Sequence, residues 1–233
     1  MRPFAALLLK EEMAIFTSPI AYVVLSVFVV IMGYTFTLTL FNSYSPTLVH
    51  LFFQIYVLFL LTVPIITMRL VAEERRLRTL ELLLTAPVSA VAVVFAKYFA
   101  SLSLVVLMLA LSGVYAITLG ILGQPDWGPI WSGYLGLFLL AAALVAVGLL
   151  MSSLVNNQII AALLSLSLFL LLWIIDHFGW MLPDPFDALV VNLSLLVHFT
   201  PFATGSIFLS DAGFFISAAL LGLFLSVRAL ARR

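Results

Sequence analysis

Apolar runs separated by short polar breaks dominate the chain, and six of them are long enough to cross a bilayer as helices. They fall at about 20–41, 48–68, 91–121, 131–153, 158–178 and 212–230, each near or above the roughly 20 residues a spanning helix needs. Ser18-Pro19 opens the first, since proline suits the first helical turn. Asn42 to Pro46 reads as a polar turn, and Pro64 predicts a kink near the end of the second span. Gly120, Gly123, Gln124, Pro125, Asp126, Gly128 and Pro129 predict a loop before the fourth span. Ser152-Ser153 closes that span, and Asn156-Asn157-Gln158 breaks the apolar run without adding charge.

Two stretches fit neither a span nor an ordinary loop. Residues 2–18 place Ala5, Leu9, Met13 and Phe16 on one stripe, with Lys10, Glu11 and Glu12 elsewhere, the pattern of a helix lying in the interfacial plane. Residues 180–205 are apolar but broken by Pro183, Asp184, Pro185, Asp187, Asn192, His198, Pro201 and Gly205. A re-entrant or interfacial pair of short helices on the outer side is expected there, because irregular backbone at membrane depth must be sheltered by protein.

Charge gathers in a third stretch. Arg69, Glu73, Glu74, Arg75, Arg76, Arg78 and Glu81 are seven of the chain's charged residues, with apolar runs on both sides. At the bilayer centre each would cost roughly 2.5–3.5 kcal/mol, so the segment belongs in water or among headgroups. Leu77, Leu80 and Leu84 at helical spacing, and Glu74 four residues before Arg78, predict a helix over 69–87 that Pro87 ends. Such a helix either lies passively at the interface or is a handle for a soluble partner.

Composition narrows the class. Of 233 residues, 65% are hydrophobic and 9% charged, which predicts an all-α polytopic membrane protein, one transmembrane domain over 1–233. No basic face of the nucleic-acid-binding kind is present, and the absence of cysteine excludes disulfides and thiol-based metal sites. The first span follows a charged segment and is too long for a signal-peptide core, so it is expected to stay in the membrane. Arg2, Lys10, the Arg69–Lys97 group, Arg228, Arg232 and Arg233 all fall on the side of the termini, together with every glutamate. Every aspartate, and His50, His177 and His198, falls toward the other side. The positive-inside rule then makes both termini cytoplasmic.

The chain has no phosphate-cradling G-x-x-x-x-G-K-[ST] loop and no H-E-x-x-H or G-x-S-x-G motif. Asp176 and His177 with His198 could hold a metal or serve an intramembrane enzyme. The competing reading places them wet at the outer headgroups, and no metal site is expected. Tyr34, Tyr56, Thr62, Ser165 and Ser167, with Thr35, Thr37 and Thr39, are candidates to line a pathway or to make ordinary helix–helix hydrogen bonds. Ala218, Gly222 and Ser226, like Gly33 and Thr37, permit close helix packing, within one chain or across a dimer.

The run Thr67-Met68-Arg69-Leu70-Val71-Ala72-Glu73-Glu74-Arg75-Arg76, followed by Thr79-Leu80-Glu81-Leu82-Leu83-Leu84-Thr85-Ala86-Pro87-Val88-Ser89, resembles the cytoplasmic loop of ABC-2 type transporter permeases. The closest branch is the one named for bacterial gliding motility. Ser18 to Tyr22, Asn157 to Ala161, His198-Phe199, Gly205, Asp211 and Phe214-Phe215 resemble it too, so the likeness covers nearly the whole chain. Arg78 and Ala96 stand where that family commonly has glycine. The resemblance implies an interfacial connecting helix at 2–18, a coupling helix at 69–87 and a re-entrant hairpin at 180–205. Arg69, Glu73, Glu74, Arg75, Arg76, Arg78 and Glu81 would meet an ABC ATP-binding subunit. That subunit would hold ATP and Mg, leaving this chain without a cofactor or catalytic residue of its own. It also implies a second permease, a copy or a paralogue, surrounding lipid, a bacterial inner-membrane location and room for a periplasmic auxiliary protein. The function implied is that of the permease subunit of an ABC exporter. The alternative is a structural subunit of an ABC-powered remodelling or motility machine that moves no substrate.

Overall fold

Because nearly every apolar run exceeds the length of a strand and carries a polar cap, helices are the expected outcome, and helices form. A computed structural model describes residues 2–42, 47–77, 89–179, 183 and 186–231, and every regular element among them is helical. In chain order these are α1 (Arg2–Phe16), α2 (Pro19–Asn42), α3 (Val49–Thr67), α4 (Ala72–Arg76), α5 (Ala90–Leu122) and α6 (Trp127–Leu154). They are followed by α7 (Gln158–Ile174), α8 (Asp176–Gly179), α9 (Phe186–Val191), α10 (Leu195–Thr204) and α11 (Leu209–Ala231). The Ser89, Asp126, Asn157 and Ser194 side chains accept the first free backbone N–H groups of α5, α6, α7 and α10. Gly205, at φ 101°, supplies the left-handed residue that ends α10.

Three expectations change. Trp127, Gly128 and Pro129 belong to the first turn of α6 rather than to the preceding loop, because Asp126 caps the Gly128 N–H at 3.0 Å and proline needs no donor there. Among the described residues five helices, α2, α3, α5, α6 and α11, are long and apolar enough to cross a membrane. The expected span at 158–178 is the 17-residue α7, which stops at Ile174. At 1.5 Å per residue it reaches only about 25 Å, the short limit of spanning helices, because the polar pair Asp176-His177 begins a separate short helix.

The helices alternate in direction. Phe52 and Thr67, at opposite ends of α3, sit against Gly133 and Gly148 of α6. Gly120 at the end of α5 approaches Trp127, and Tyr115 of α5 bonds the Val29 carbonyl of α2. At one end of the bundle lie α1, α4 and the N-terminal part of α5; at the other lie the α5–α6 connection and α8 to α10. Burial separates centre from rim. α3 and α6 are 67% and 61% buried by protein over their apolar windows, whereas α2 and α11 are 17% and 28%. The rim exposes Val23, Val30, Leu220 and Leu221, the surface expected of a protein solvated by acyl chains.

Close packing on α6 comes from missing side chains. Gly136 receives the Phe202 ring of α10, and Gly222 of α11 lies on the Ala146 backbone, where a Cβ would stand 2.9 Å from the carbonyl carbon. The small-residue row of α11 therefore serves packing inside this chain. A Cβ on Gly148 would come within 2.3 Å of Thr67 Oγ1, itself bonded to the Val63 carbonyl at 2.9 Å. Replacing Gly148 by Val is expected to destabilise the bundle by about 1–3 kcal/mol, read as a lower unfolding temperature in detergent.

Candidate functional site: a buried ion-pair ring

Lys97 is the eighth residue of α5, so it lies about 12 Å along an otherwise apolar helix, and its side chain is only 2% exposed. A cation so placed needs anions. Glu74 of α4 provides one at 2.8 Å and Glu11 of α1 the other at 3.1 Å. Lys10 then bridges the same two glutamates from the solvent side, 3.3 Å from Glu11 and 3.7 Å from Glu74. Two lysines and two glutamates close a ring of net charge zero that joins α1, α4 and α5.

A second clasp holds the other side of α4. Arg69 donates through Nε and Nη2 to both Glu73 oxygens, at 2.8 and 3.3 Å, and through Nη1 to the Ser18 hydroxyl at 2.8 Å. The hydrogen bonds from Arg69 hold the Glu73 carboxyl below the usual carboxylate range against its partial burial, with the Arg69 charge, a bond from Gln158 and the Arg76 charge adding to the effect. Glu73 thereby lies near Gln158, the first residue of α7.

The entry to α4 is fixed from α6. The chain leaves α3 at Thr67, turns through Met68–Val71 and starts α4 at Ala72. Ser152 Oγ accepts from the Val71 and Ala72 N–H groups, both at 3.1 Å, and donates to the Met68 carbonyl at 3.0 Å. A serine eighty residues away thus caps a helix whose own N-cap, Val71, has no polar side chain. The acids Glu73 and Glu74 occupy the first turn of α4 and Arg75 and Arg76 the last, the order the helix dipole favours.

The continuous helix expected over 69–87 is not what the described part forms. Residues 69–71 are in the turn, α4 ends at Arg76, and Leu77 caps it with an exposed side chain. The physical reason is the triple bond set of Ser152, which restarts the helix after α3. Glu74 is committed to Lys97 and Lys10; its expected partner Arg78 lies outside the described residues, as do Leu80, Glu81, Leu84 and Pro87. Arg69, Glu73, Glu74, Arg75 and Arg76 are brought together at one end of the bundle, and only Arg76 among them is exposed. Between them and α2, α3 and α5 lies a half-open cavity of about 280 Å³, with Ile15, Ile20, Ile65 and Leu70 on its walls and Arg69, Glu73 and Lys97 at its polar side.

Sequence reasoning passed over Glu11, Lys97, Ser18, Ser152 and Gln158 as site residues. Two signals were present. Glu11 has Leu7 and Ile15 four residues to either side, which puts it on the inward face; the outward face carries Leu9 and Met13, left open to lipid. Lys97 interrupts an apolar helix where only a paired cation survives.

The pathway candidates fall in separate settings. Tyr34 and Ser167 are exposed on α2 and α7. Thr62 and Ser165 are buried and donate to the Leu58 and Ala161 carbonyls of their own helices, at 2.7 and 2.9 Å. Tyr56 is fully buried, stacked on Phe199 with centroids 5.2 Å apart, and its hydroxyl has no hydrogen-bond partner among the described residues. His198 corrects the wet reading: it is buried against Asp211 at 2.8 Å, while His177 is exposed beside Asp176. Among the described residues no group of three metal-ligating side chains forms.

The family model described as ABC-2 family transporter protein matches residues 34–227. No curated protein matches the chain.

Removing the buried cation strands two carboxylates. Lys97→Met is expected to cost about 3–5 kcal/mol, whereas the triple change Lys97→Met, Glu11→Gln and Glu74→Gln recovers most of it; thermal unfolding of both variants distinguishes the two outcomes. Because the Glu73 carboxyl is held low in the folded chain, its contribution is present above the ordinary carboxylate range and is lost as pH falls through the lowered value. Hydrogen-exchange protection of 69–77, referred at each pH to the unfolded peptide, should therefore fall on acidification, and less so in Glu73→Gln.

Proposed function

The chain belongs to the ABC-2 family of transporter proteins, and from that premise we propose that it is the membrane subunit through which a separate ATP-binding subunit drives export of a substrate across a bacterial cytoplasmic membrane. The observation that carries this reading is the family match, which spans the charged end, the central helices and the outer short helices alike. The geometry supports it at one point above all. ATP-driven movement of a soluble subunit reaches the membrane only through a protruding element joined firmly to the spans. α4 is joined to α1 and α5 through Lys97, to α6 through Ser152, and through Glu73 and Arg69 to Ser18 at the entry to α2.

Glu74 and Glu73 serve in this reading as anchors of the lever, and Arg76 and Leu77 offer the face that the ATP-binding subunit meets. Arg78 and Glu81 belong to the same proposed contact. A second permease, identical or paralogous, completes the working unit, and the layer formed by α9 and α10 covers its outer side. ATP and Mg belong to the partner subunit.

Purification of the tagged chain from its native membrane in mild detergent tests the proposal. A P-loop subunit is expected in stoichiometric yield with the wild type. With Arg76→Glu its recovery falls by more than about tenfold, as for loss of an interfacial charge pair, while the permease keeps its unfolding temperature. Recovery of the permease alone, under conditions that preserve other membrane complexes, would contradict the proposal. The double reversal Glu73→Lys, Glu74→Lys should uncouple transport while leaving the chain inserted. An added loss of stability is expected, because Glu74→Lys sets a second cation against Lys97.

A further inference from the structure

The outer end of the bundle holds a second buried ionisable group that the coupling account does not use. His198, in the first turn of α10, is 9% exposed, and Asp211, in the first turn of α11, is 8% exposed. His198 Nδ1 lies 2.8 Å from Asp211 Oδ1, and Nε2 lies 3.0 Å from the Asn192 carbonyl in the turn after α9. Phe214 stacks on the imidazole with centroids 4.0 Å apart, and Phe215 closes it edge-on.

The hydrogen count follows from these partners. A carbonyl oxygen only accepts, and so does an ionised carboxylate, while a neutral imidazole has one N–H to give. Both bonds therefore form together only if the pair carries one proton beyond neutral histidine and ionised aspartate. That proton rests either on the imidazole, which then donates twice, or on the Asp211 carboxyl, which then donates to Nδ1. In both arrangements the pair is neutral, the state a buried site favours. We infer that His198 and Asp211 form a proton-binding site, and that the bound proton fastens the outer layer of α9 and α10 to α11.

Loss of the proton to solvent leaves the pair with a charge of −1. Nδ1–H keeps its bond to Asp211, and the Nε2 lone pair then faces the Asn192 carbonyl, so the tie between α10 and the turn after α9 is broken. α3 presents Phe53 and Tyr56 to α10, Trp173 of α7 backs Tyr56, and α6 presents the Ser132 hydroxyl, bonded to the Phe202 carbonyl at 2.8 Å. Asp176 of α8, whose charge reaches Tyr56, adds a second anion beside Asp211 on this side. The Ser210 hydroxyl, 3.5 Å from Asp211 Oδ1, is the other polar neighbour. Protonation thus strengthens the layer and rising pH loosens it, independently of the ATP-binding subunit.

Hydrogen exchange of peptides covering 189–199, in the full chain in lipid nanodiscs, tests the inference, with protection referred at each pH to the unfolded peptide. From acid to alkaline pH wild-type protection is expected to fall about tenfold, the equivalent of one buried hydrogen bond. Asp211→Asn needs no extra proton, because its amide donates to Nδ1 while Nε2–H donates to Asn192, so its protection should not change with pH. His198→Gln removes the titrating ring and should also be flat, which decides the matter if Asp211→Asn does not fold. A flat wild-type profile overturns the inference, as does a wild-type slope retained in His198→Gln.

Discussion

One buried ammonium group sets the terms for the charged end of this protein. Lys97 is carried two turns into an apolar helix, where its side chain is only 2% exposed. Desolvation on that scale is tolerable only with close anions, and the chain brings them from two other elements, Glu11 of α1 and Glu74 of α4. The consequence is mechanical as well as electrostatic. Moving α4 away from α1 or α5 would separate a desolvated ion pair, so these three elements have strong reason to move together. The Arg69–Glu73 clasp and the Ser152 cap extend the same body to Ser18 at the entry to α2 and to α6.

The central helices supply what this body rests on. α6 carries glycine where α3 and α10 approach, and an alanine backbone where Gly222 of α11 sits. In lipid, helix association gains little from the hydrophobic effect, so close backbone contact and buried hydrogen bonds take on more of the work. Thr67 illustrates the economy of the arrangement: its hydroxyl satisfies a carbonyl in its own helix while its methyl and oxygen fill the notch at Gly148. α2 completes the rim with little part in this packing, whereas α11, exposed on its outer face, packs its Gly222 face against α6.

Much of this was legible in the sequence because hydrophobic run length is a strong signal. The long spans, the all-helical class and the gathering of Arg69 to Arg76 at one end follow from it directly. Where the expectation failed, a local signal was overridden by a distant residue. The break between α3 and α4 depends on Ser152, which no periodicity near residue 70 announces. α7 is shorter than its apolar run because Asp176 and His177 begin another helix. Lys97 read as one more basic residue on the cytoplasmic side, since spacing along a single helix does not reveal partners at residues 11 and 74. His198 read as a surface histidine for the same reason, its carboxylate lying thirteen residues away on another helix.

The absence of cysteine makes the central claim directly measurable. Spin labels on single cysteines introduced at Met13 in α1 and Val91 in α5, both exposed positions, would report the distance between these helices in the assembled transporter, with and without nucleotide. If the Lys97 ring joins the helices into one body, the distance distribution is narrow, is the same in both nucleotide states, and broadens on Lys97→Met. A distance that shifts by several ångströms with nucleotide in the unaltered ring, or that is indifferent to Lys97→Met, would contradict it.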